Sequence, residues 1–299
     1  MVERYDEPES RTPSPESRVR NSESRLDAPI GVFDSGVGGL SVLREIRREL
    51  PAEDLIYVAD SGYAPYGDRP EEYVRGRAVA IMEFLRGQGA KAVVVACNTA
   101  TGIAVDALRT RYDVPIVAIE PAVKPAAAHT RSGVVGVLAT TQTLAGQKFA
   151  KLVRTHAGRV EVLTQPAPGL VDQVEGGQLA TASTRALVEQ YVRPLLDKGA
   201  DTIVLGCTHY PFLDDVIRDV AGPSVTVIDS AIPVARELRR RLQVSGLLAV
   251  ADRRGTTRFW TTGSIDHVRG VIGQLWDGDV EVRSLPSTTE GEERGAGTG

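Results

Sequence analysis

The strongest constraint on the fold is a duplication inside the chain. Gly89-Ala-Lys-Ala-Val-Val-Val-Ala-Cys97-Asn-Thr can be laid over Gly199-Ala-Asp-Thr-Ile-Val-Leu-Gly-Cys207-Thr-His, 110 positions later. Each copy is a Gly-Ala turn, an apolar run rich in β-branched residues and a cysteine eight positions after the glycine. Ile116-Val-Ala-Ile-Glu-Pro-Ala and Val225-Thr-Val-Ile-Asp-Ser-Ala keep nearly the same offset, and Ile30-Gly-Val-Phe-Asp-Ser precedes Val135-Gly-Val-Leu-Ala-Thr by 105 positions. A period this long exceeds any solenoid unit, so it implies two related domains rather than a repeat array. Each domain then carries one of the two cysteines in the chain.

Around these runs, short apolar segments alternate with longer stretches that have apolar residues at helical spacing. Ile30–Phe33, Leu55–Val58, Ala92–Ala96 and Ile116–Ile119 read as strands buried on both faces, separated by helices over 40–50, 71–87 and 99–111. The series restarts with strands at Val134–Leu138, Val160–Leu163, Thr202–Leu205 and Val225–Ile228 and helices at about 143–156, 179–196 and 212–220. This alternation predicts an α/β protein of two pseudo-symmetric, doubly wound parallel-sheet domains with a site in the cleft between them. A late strand-like segment, Arg258–Thr262, best completes the first sheet, so the chain should cross between domains near Pro121 and Ala231. The expected domains are 29–121 plus 231–285, and 122–230. Residues 1–28 and 286–299 carry few large apolar side chains and cannot offset the entropy of ordering, so they are expected to be a disordered arm and tail.

Composition removes several classes of function. A net charge of −4 supplies no basic field for nucleic acid. No uncharged run of about 18 apolar residues occurs and the first residues contain no apolar signal core, so the expectation is a cytoplasmic protein without membrane contact. Two cysteines are too few for a disulfide scaffold, and their role has to be argued from their surroundings.

In an open parallel sheet, ligands sit beyond the carboxyl ends of the strands, where helix N-termini offer unpaired N–H groups. Those ends are unusually polar here: Asp34-Ser-Gly-Val-Gly-Gly39, Asp60-Ser-Gly-Tyr-Ala-Pro-Tyr66-Gly67, Cys97-Asn-Thr-Ala, Ala139-Thr-Thr-Gln-Thr143 and Cys207-Thr-His-Tyr-Pro211. Taken singly, each is an ordinary helix cap. Five together, two of them duplicated around a cysteine, are not. A thiol at a helix N-terminus has its anion favoured by the dipole. Two such thiols facing each other across a cleft form an acid/base pair on opposite faces of one small substrate, which suits inversion at a carbon.

Asp34-Ser35-Gly36, Pro65-Tyr66-Gly67, Cys97-Asn98-Thr99-Ala100 and Cys207-Thr208-His209-Tyr210-Pro211, in this order and spacing, resemble the glutamate racemases, cofactor-independent enzymes that make D-glutamate for bacterial cell walls. The resemblance runs over roughly 30–275 and includes Phe259-Trp-Thr-Thr-Gly263. It implies that Cys97 and Cys207 are the catalytic thiols, that Asp34 assists Cys97 and that His209 assists Cys207. It also implies glutamate binding by Asp34, Ser35, Tyr66, Gly67, Asn98, Thr99, Thr208 and His209, with Thr140 and Thr143 as carboxylate contacts. Glu175, in Val171-Asp-Gln-Val-Glu175, matches an acid that stands near His209 in the family and is counted with the substrate-binding residues. His129, His156 and His267 have no partner motif and read as structural.

Cofactor signatures are missing from the sequence. Gly36-Val-Gly-Gly-Leu-Ser41 is not a dinucleotide fingerprint, no phosphate-binding loop of the G-x-x-x-x-G-K-[ST] type occurs, and no His, Asp or Glu cluster has ligand spacing. Of the five lysines only Lys124 follows a strand end, where Pro121-Ala-Val-Lys-Pro125 looks like a domain crossover rather than a Schiff-base site. No cofactor and no metal are therefore expected. The alternatives are a racemase for aspartate or a hydantoin, a one-thiol decarboxylase of the same fold, and a two-domain amino-acid clamp with no use for paired thiols. A homodimer, and the DNA gyrase binding known in some members of the family, remain open because no residue bears on them.

Overall fold

The computed structural model describes residues 26–250, 253–277 and 280–286. The expected arm and tail lie outside these residues except for 26–28 and 286. The first half builds β1 (Ile30–Asp34), α1 (Leu40–Glu49), β2 (Leu55–Ala59), α2 (Glu71–Gly87), β3 (Ala92–Val95), α3 (Asn98–Arg111) and β4 (Ile116–Ala118). The second half builds α4 (Val123–His129), β5 (Val134–Ala139), α5 (Thr141–Ala145), α6 (Gln147–His156), β6 (Glu161–Pro166), α7 (Leu170–Glu175), α8 (Ala182–Asp197), β7 (Thr202–Leu205), α9 (Asp214–Ala221) and β8 (Thr226–Ile228). Then α10 (Ala231–Val244), β9 (Thr257–Thr261), α11 (Ile265–Leu275) and β10 (Val282–Ser284) follow.

Two parallel sheets result. The first has the order β10-β9-β2-β1-β3-β4 and the second β6-β5-β7-β8, with every neighbouring pair parallel. The run β2-β1-β3-β4 and the whole second sheet have the same order in the same sequence direction, so the duplication read from the cysteines is a duplication of topology. Packing repeats as well. A Cβ on Gly31 of β1 would lie 2.8 Å from Leu85 Cδ1 of α2, and one on Gly136 of β5 would lie 2.8 Å from Leu195 Cδ1 of α8. Each glycine lets a leucine of the overlying helix rest on the central strand.

The strands are buried on both faces because helices cover both. On one face of the first sheet, Phe33, Ile56, Val58 and Val95 pack with Val74, Ile81 and Leu85 of α2 and Ala104 and Leu108 of α3. On the other face, Ile30, Val32 and Val94 meet Leu43 and Ile46 of α1 and Leu238 of α10. The strand Thr257–Thr261 pairs with β2, which brings the end of the chain back to the first sheet. Where the two connections between sheets pass each other, Ser230 Oγ donates to Glu120 O at 2.6 Å. The segment after Pro121 is not only a crossover, since α4 begins at Val123.

Two further elements differ from the sequence expectation. The helix expected over 143–156 is two helices, because Thr140 caps α5 through its hydroxyl and the chain turns extended at Gly146 before α6 starts. The second cysteine does not open an α-helix. A 3₁₀ turn, Tyr210–Leu213, follows Cys207, and α9 starts only at Asp214. Among the described residues no helix is long and apolar enough to cross a membrane.

Candidate active site

In both sheets the strand order reverses beside the first strand, between β1 and β3 and between β5 and β7. The crevice above such a switch point is where open α/β sheets bind ligands. Cys97 follows β3 and caps α3, its sulfur accepting from Ala100 N–H at 3.4 Å. Its S–H donates to Ser35 Oγ at 3.9 Å, and Ser35 Oγ donates to Asp34 Oδ1 at 3.5 Å. Asp34 ends β1, fully buried, and its Oδ2 accepts from Gly39 N–H at 2.6 Å and from Thr208 Oγ1 at 3.1 Å. Burial pushes the Asp34 carboxyl up, against the pull of the His209 charge. Burial and the neighbouring Asp34 push the Cys97 thiol up as well, beyond what its contacts with Ala100 and Ser35 take back. The resting sulfur therefore holds its proton, with a proton acceptor waiting beyond the Ser35 hydroxyl.

Cys207 is equipped differently. Its sulfur lies 3.7 Å from His209 Nδ1, and His209 Nε2 lies 2.6 Å from Glu175 Oε1. Glu175 also accepts from Val37 N–H at 2.7 Å and from Ser61 Oγ at 3.2 Å. Burial alone would hold the imidazole neutral, but hydrogen bonds to Cys207 and Glu175 raise its pKa well above the ordinary value. Burial likewise opposes the Glu175 charge, and the bond and charge of His209 with the Val37 and Ser61 donors overcome it, lowering its pKa. The pair is thus an imidazolium and a carboxylate, and both ring nitrogens donate. The glycines after β1 make room for it: a Cβ on Gly36 would fall 1.9 Å from Glu175 Oε1, and one on Gly38 2.3 Å from His209 Nδ1.

Both thiols line one cavity, about 290 Å³ when the space open to solvent at its mouth is included. From the first half come Ser35, Tyr66, Gly67, Cys97, Asn98 and Thr99, and from the second half Thr140, Thr143, Cys207, Thr208 and His209. Asp34 and Glu175 are not on this wall. Each stands one hydrogen bond behind it, Asp34 behind Ser35 and Thr208 and Glu175 behind His209. Thr99, Thr140 and Thr143 form a hydroxyl cluster across the cleft, with oxygens 3.0 to 3.3 Å apart. The Asn98 side chain is 6% exposed and neither its Oδ1 nor its Nδ2 has a partner. A buried amide left unpaired on a cavity wall is a site for a polar ligand.

The Tyr66 hydroxyl is not offered to the cavity, because it donates to Asp60. Asp60 is fully buried and paired with Arg77, whose Nε and Nη2 reach it at 2.9 and 2.8 Å. Among the described residues no group of three His, Cys, Asp or Glu side chains is arranged to hold a metal ion.

The description of the Asp/Glu/hydantoin racemases matches residues 30–238. The chain belongs to that family. It is 53% identical over 259 residues to a glutamate racemase of Methylococcus capsulatus, covering 87% of this chain and 96% of the relative. Among solved structures it resembles a glutamate racemase isoform of Bacillus anthracis at 35% identity and a TM-score of 0.79, covering 87% of this chain and 97% of that one. It also resembles the Escherichia coli glutamate racemase solved with L-glutamate and an activator, at 30% identity and a TM-score of 0.76 over 86% of this chain and 98% of that one. These racemases match most of the described fold, both sheets included.

Sequence reading missed the supporting residues. Asp60 and Ser61 stand in a strand end already singled out as polar, which was the available signal. Arg77 and His267, which bonds the main-chain oxygen of Glu175 at 2.9 Å, had none.

Proposed function

We propose that this chain interconverts L- and D-glutamate by passing the α-proton between Cys97 and Cys207, without a cofactor, and so supplies D-glutamate for peptidoglycan. The observation that carries this reading is that two cysteines from opposite halves of a duplicated fold line one small polar cavity. In one direction a thiolate on one side takes the α-proton: the C–H bond breaks, an S–H bond forms, and the electron pair stays on the α-carbon and its carboxylate. The opposite thiol then gives its proton to the other face, forming the new C–H bond and leaving a thiolate. Nothing is oxidised or reduced, and the enzyme ends with its two thiols in exchanged protonation states.

The arms behind the sulfurs reset those states. Cys97 passes a proton through Ser35 to Asp34, whose raised pKa makes it an acceptor. Cys207 has the His209 imidazolium against its sulfur, a charged donor within reach of that atom. The Asn98 amide and the Thr99, Thr140, Thr143 and Thr208 hydroxyls serve the carboxylates and ammonium of the substrate. The two halves are assigned as domains 29–121 plus 231–285, and 122–230, supported by the chain leaving the first sheet after β4 and returning with α10. The test is incubation of either enantiomer of glutamate with the purified chain in deuterium oxide without added cofactor. Deuterium at the α-carbon of the inverted product is expected; inversion of aspartate or a hydantoin in preference to glutamate would overturn the substrate.

A further inference from the structure

The partners of Glu175 lie on both sides of the cleft. Helix α7, which carries it, and His209 belong with the second sheet. Val37 N–H and Ser61 Oγ, which donate to its carboxylate, and His267 Nε2, which donates to its main-chain oxygen at 2.9 Å, all belong with the first. His267 sits in the first turn of α11, exposed, while its neighbour Val268 takes the buried place in the core. It does not line the thiol cavity. It lines, with Glu175, Ser61 and Ser264, an adjoining open cleft of about 510 Å³, solvent-filled space included. Among the described residues the one hydrogen-bond partner of its ring is the Glu175 carbonyl.

We propose that His267 is a positioning residue for Cys207, anchoring the carbonyl of Glu175 so that the carboxylate holds the ring of His209 against the sulfur. The path is 2.9 Å from His267 to Glu175, 2.6 Å from Glu175 to His209 and 3.7 Å from His209 to Cys207. The relay behind Cys97, through Ser35 to Asp34, shares no hydrogen bond with that path. A general loosening of the cleft would disturb both thiols alike, whereas loss of the anchor acts directly on Cys207 and reaches Cys97 only through the charges of His209 and Glu175 on Asp34. The proposal rests on the two-thiol reading given above.

The experiment compares the full chain with His267→Ala and His267→Gln, alkylating each with iodoacetamide and following Cys97 and Cys207 separately by peptide mass spectrometry, beside steady-state racemisation. In His267→Ala, alkylation of Cys207 is expected to slow about three- to tenfold, the range set by one ordinary hydrogen bond, with Cys97 slowed clearly less. The kcat of racemisation should fall by a similar factor with little change in KM. Glutamine keeps a donor of comparable reach and is expected to recover most of both losses. Equal slowing at both thiols, no slowing at Cys207, or a glutamine variant no better than alanine would overturn the assignment. Absence of racemisation by the unaltered chain would instead overturn the reading beneath it, a result visible before any variant is made.

Discussion

Cys97 and Cys207 end equivalent strands of two sheets with the same order, yet the chain leaves them along different paths. After Cys97 an α-helix starts at once: Thr101 N–H donates to Cys97 O at 2.9 Å, and Ala100 N–H reaches the sulfur at 3.4 Å. After Cys207 the fourth residue is Pro211, which has no N–H for that bond. The turn tightens, Tyr210 N–H donates to Cys207 O at 3.2 Å, and the sulfur meets the ring of His209. One thiol is thus supported by a helix N-terminus and a neutral hydroxyl relay, the other by a buried ion pair from its own half of the fold. A duplicated fold supplies two thiols at matching positions; two different substitutions after the cysteine make them chemically unlike.

The largest expected effect breaks the pair. Cys97→Ser and Cys207→Ser should each lower net racemisation by about 10²- to 10⁴-fold, because turnover in either direction needs one group as base and the other as acid and a serine hydroxyl is too weak an acid to serve. Exchange without inversion should separate them. The remaining thiol can still remove and return the proton of the enantiomer it faces, so deuterium in recovered, uninverted glutamate should favour one enantiomer in one variant and the opposite enantiomer in the other. The family resemblance implies the expected assignment, with Cys97 taking the proton from D-glutamate and Cys207 from L-glutamate. The same bias in both variants would end the two-thiol account.

A smaller effect tests the difference between the arms. Glu175→Gln keeps the shape of the side chain and removes the charge that holds His209 protonated, so kcat/KM should fall roughly 10- to 100-fold, as for loss of a charge-assisted hydrogen bond. Both directions must fall together, because the equilibrium constant between enantiomers is fixed. The pH profile carries the sign. His209 is raised above its ordinary value of 6.5, so its contribution is complete below that pH and is lost as pH rises through the raised value. Glu175 is lowered from 4.5, so its contribution is present above that pH and is lost as pH falls through the lowered value. The alkaline limb of kcat/KM should therefore move to lower pH in Glu175→Gln and move less in Asp34→Asn, which removes the acceptor behind Cys97 and leaves the ion pair in place. A limb that moves equally in both variants would show the arms to be one coupled unit.

The part of this comparison legible in the sequence was the part encoded locally. The Val- and Ile-rich runs announced the buried strands, and Gly89-Ala and Gly199-Ala before the two cysteines announced the duplication. The site residues that line the cavity could be found because they sit at strand ends, within a few positions of a cysteine, an aspartate or a Pro-Tyr-Gly turn. What was not legible depends on tertiary contact. Glu175 lies 34 positions from the histidine it pairs with, on a six-residue helix whose pattern carries no periodic signal, and was reached only through the family resemblance. Arg77 meets Asp60 only because α2 packs over the end of β2. His267 bonds a main-chain oxygen, a partner with no sequence signature. The 3₁₀ turn after Cys207 was available in Pro211, but the sequence reading placed only a helix at about 212–220 there and left the turn unassigned.

The smallest expected effect concerns the scaffold that makes the two halves comparable. Gly31 and Gly136 occupy the same place in β1 and β5, and a methyl group at either would fall 2.8 Å from a leucine Cδ1 of the helix above. The surroundings differ in one respect. At Gly31 the close atoms are the two terminal methyls and Cγ of Leu85, at 2.8 to 3.2 Å, which a rotation of that side chain can withdraw in part. At Gly136 the contacts include Leu195 Cβ at 3.2 Å, which moves only with α8. Each alanine should destabilise by about 1 to 3 kcal/mol, as overpacking does in a full core, with Gly136→Ala at the upper end and Gly31→Ala at the lower. Urea unfolding of both variants measures this directly. Adding Leu85→Ala to Gly31→Ala and Leu195→Ala to Gly136→Ala closes two double-mutant cycles, in which each pair should be less unstable than the sum of its single changes. Additive behaviour in either cycle would mean that the glycine there is not held by the helix above it, and the match between the two halves would then stop at strand order.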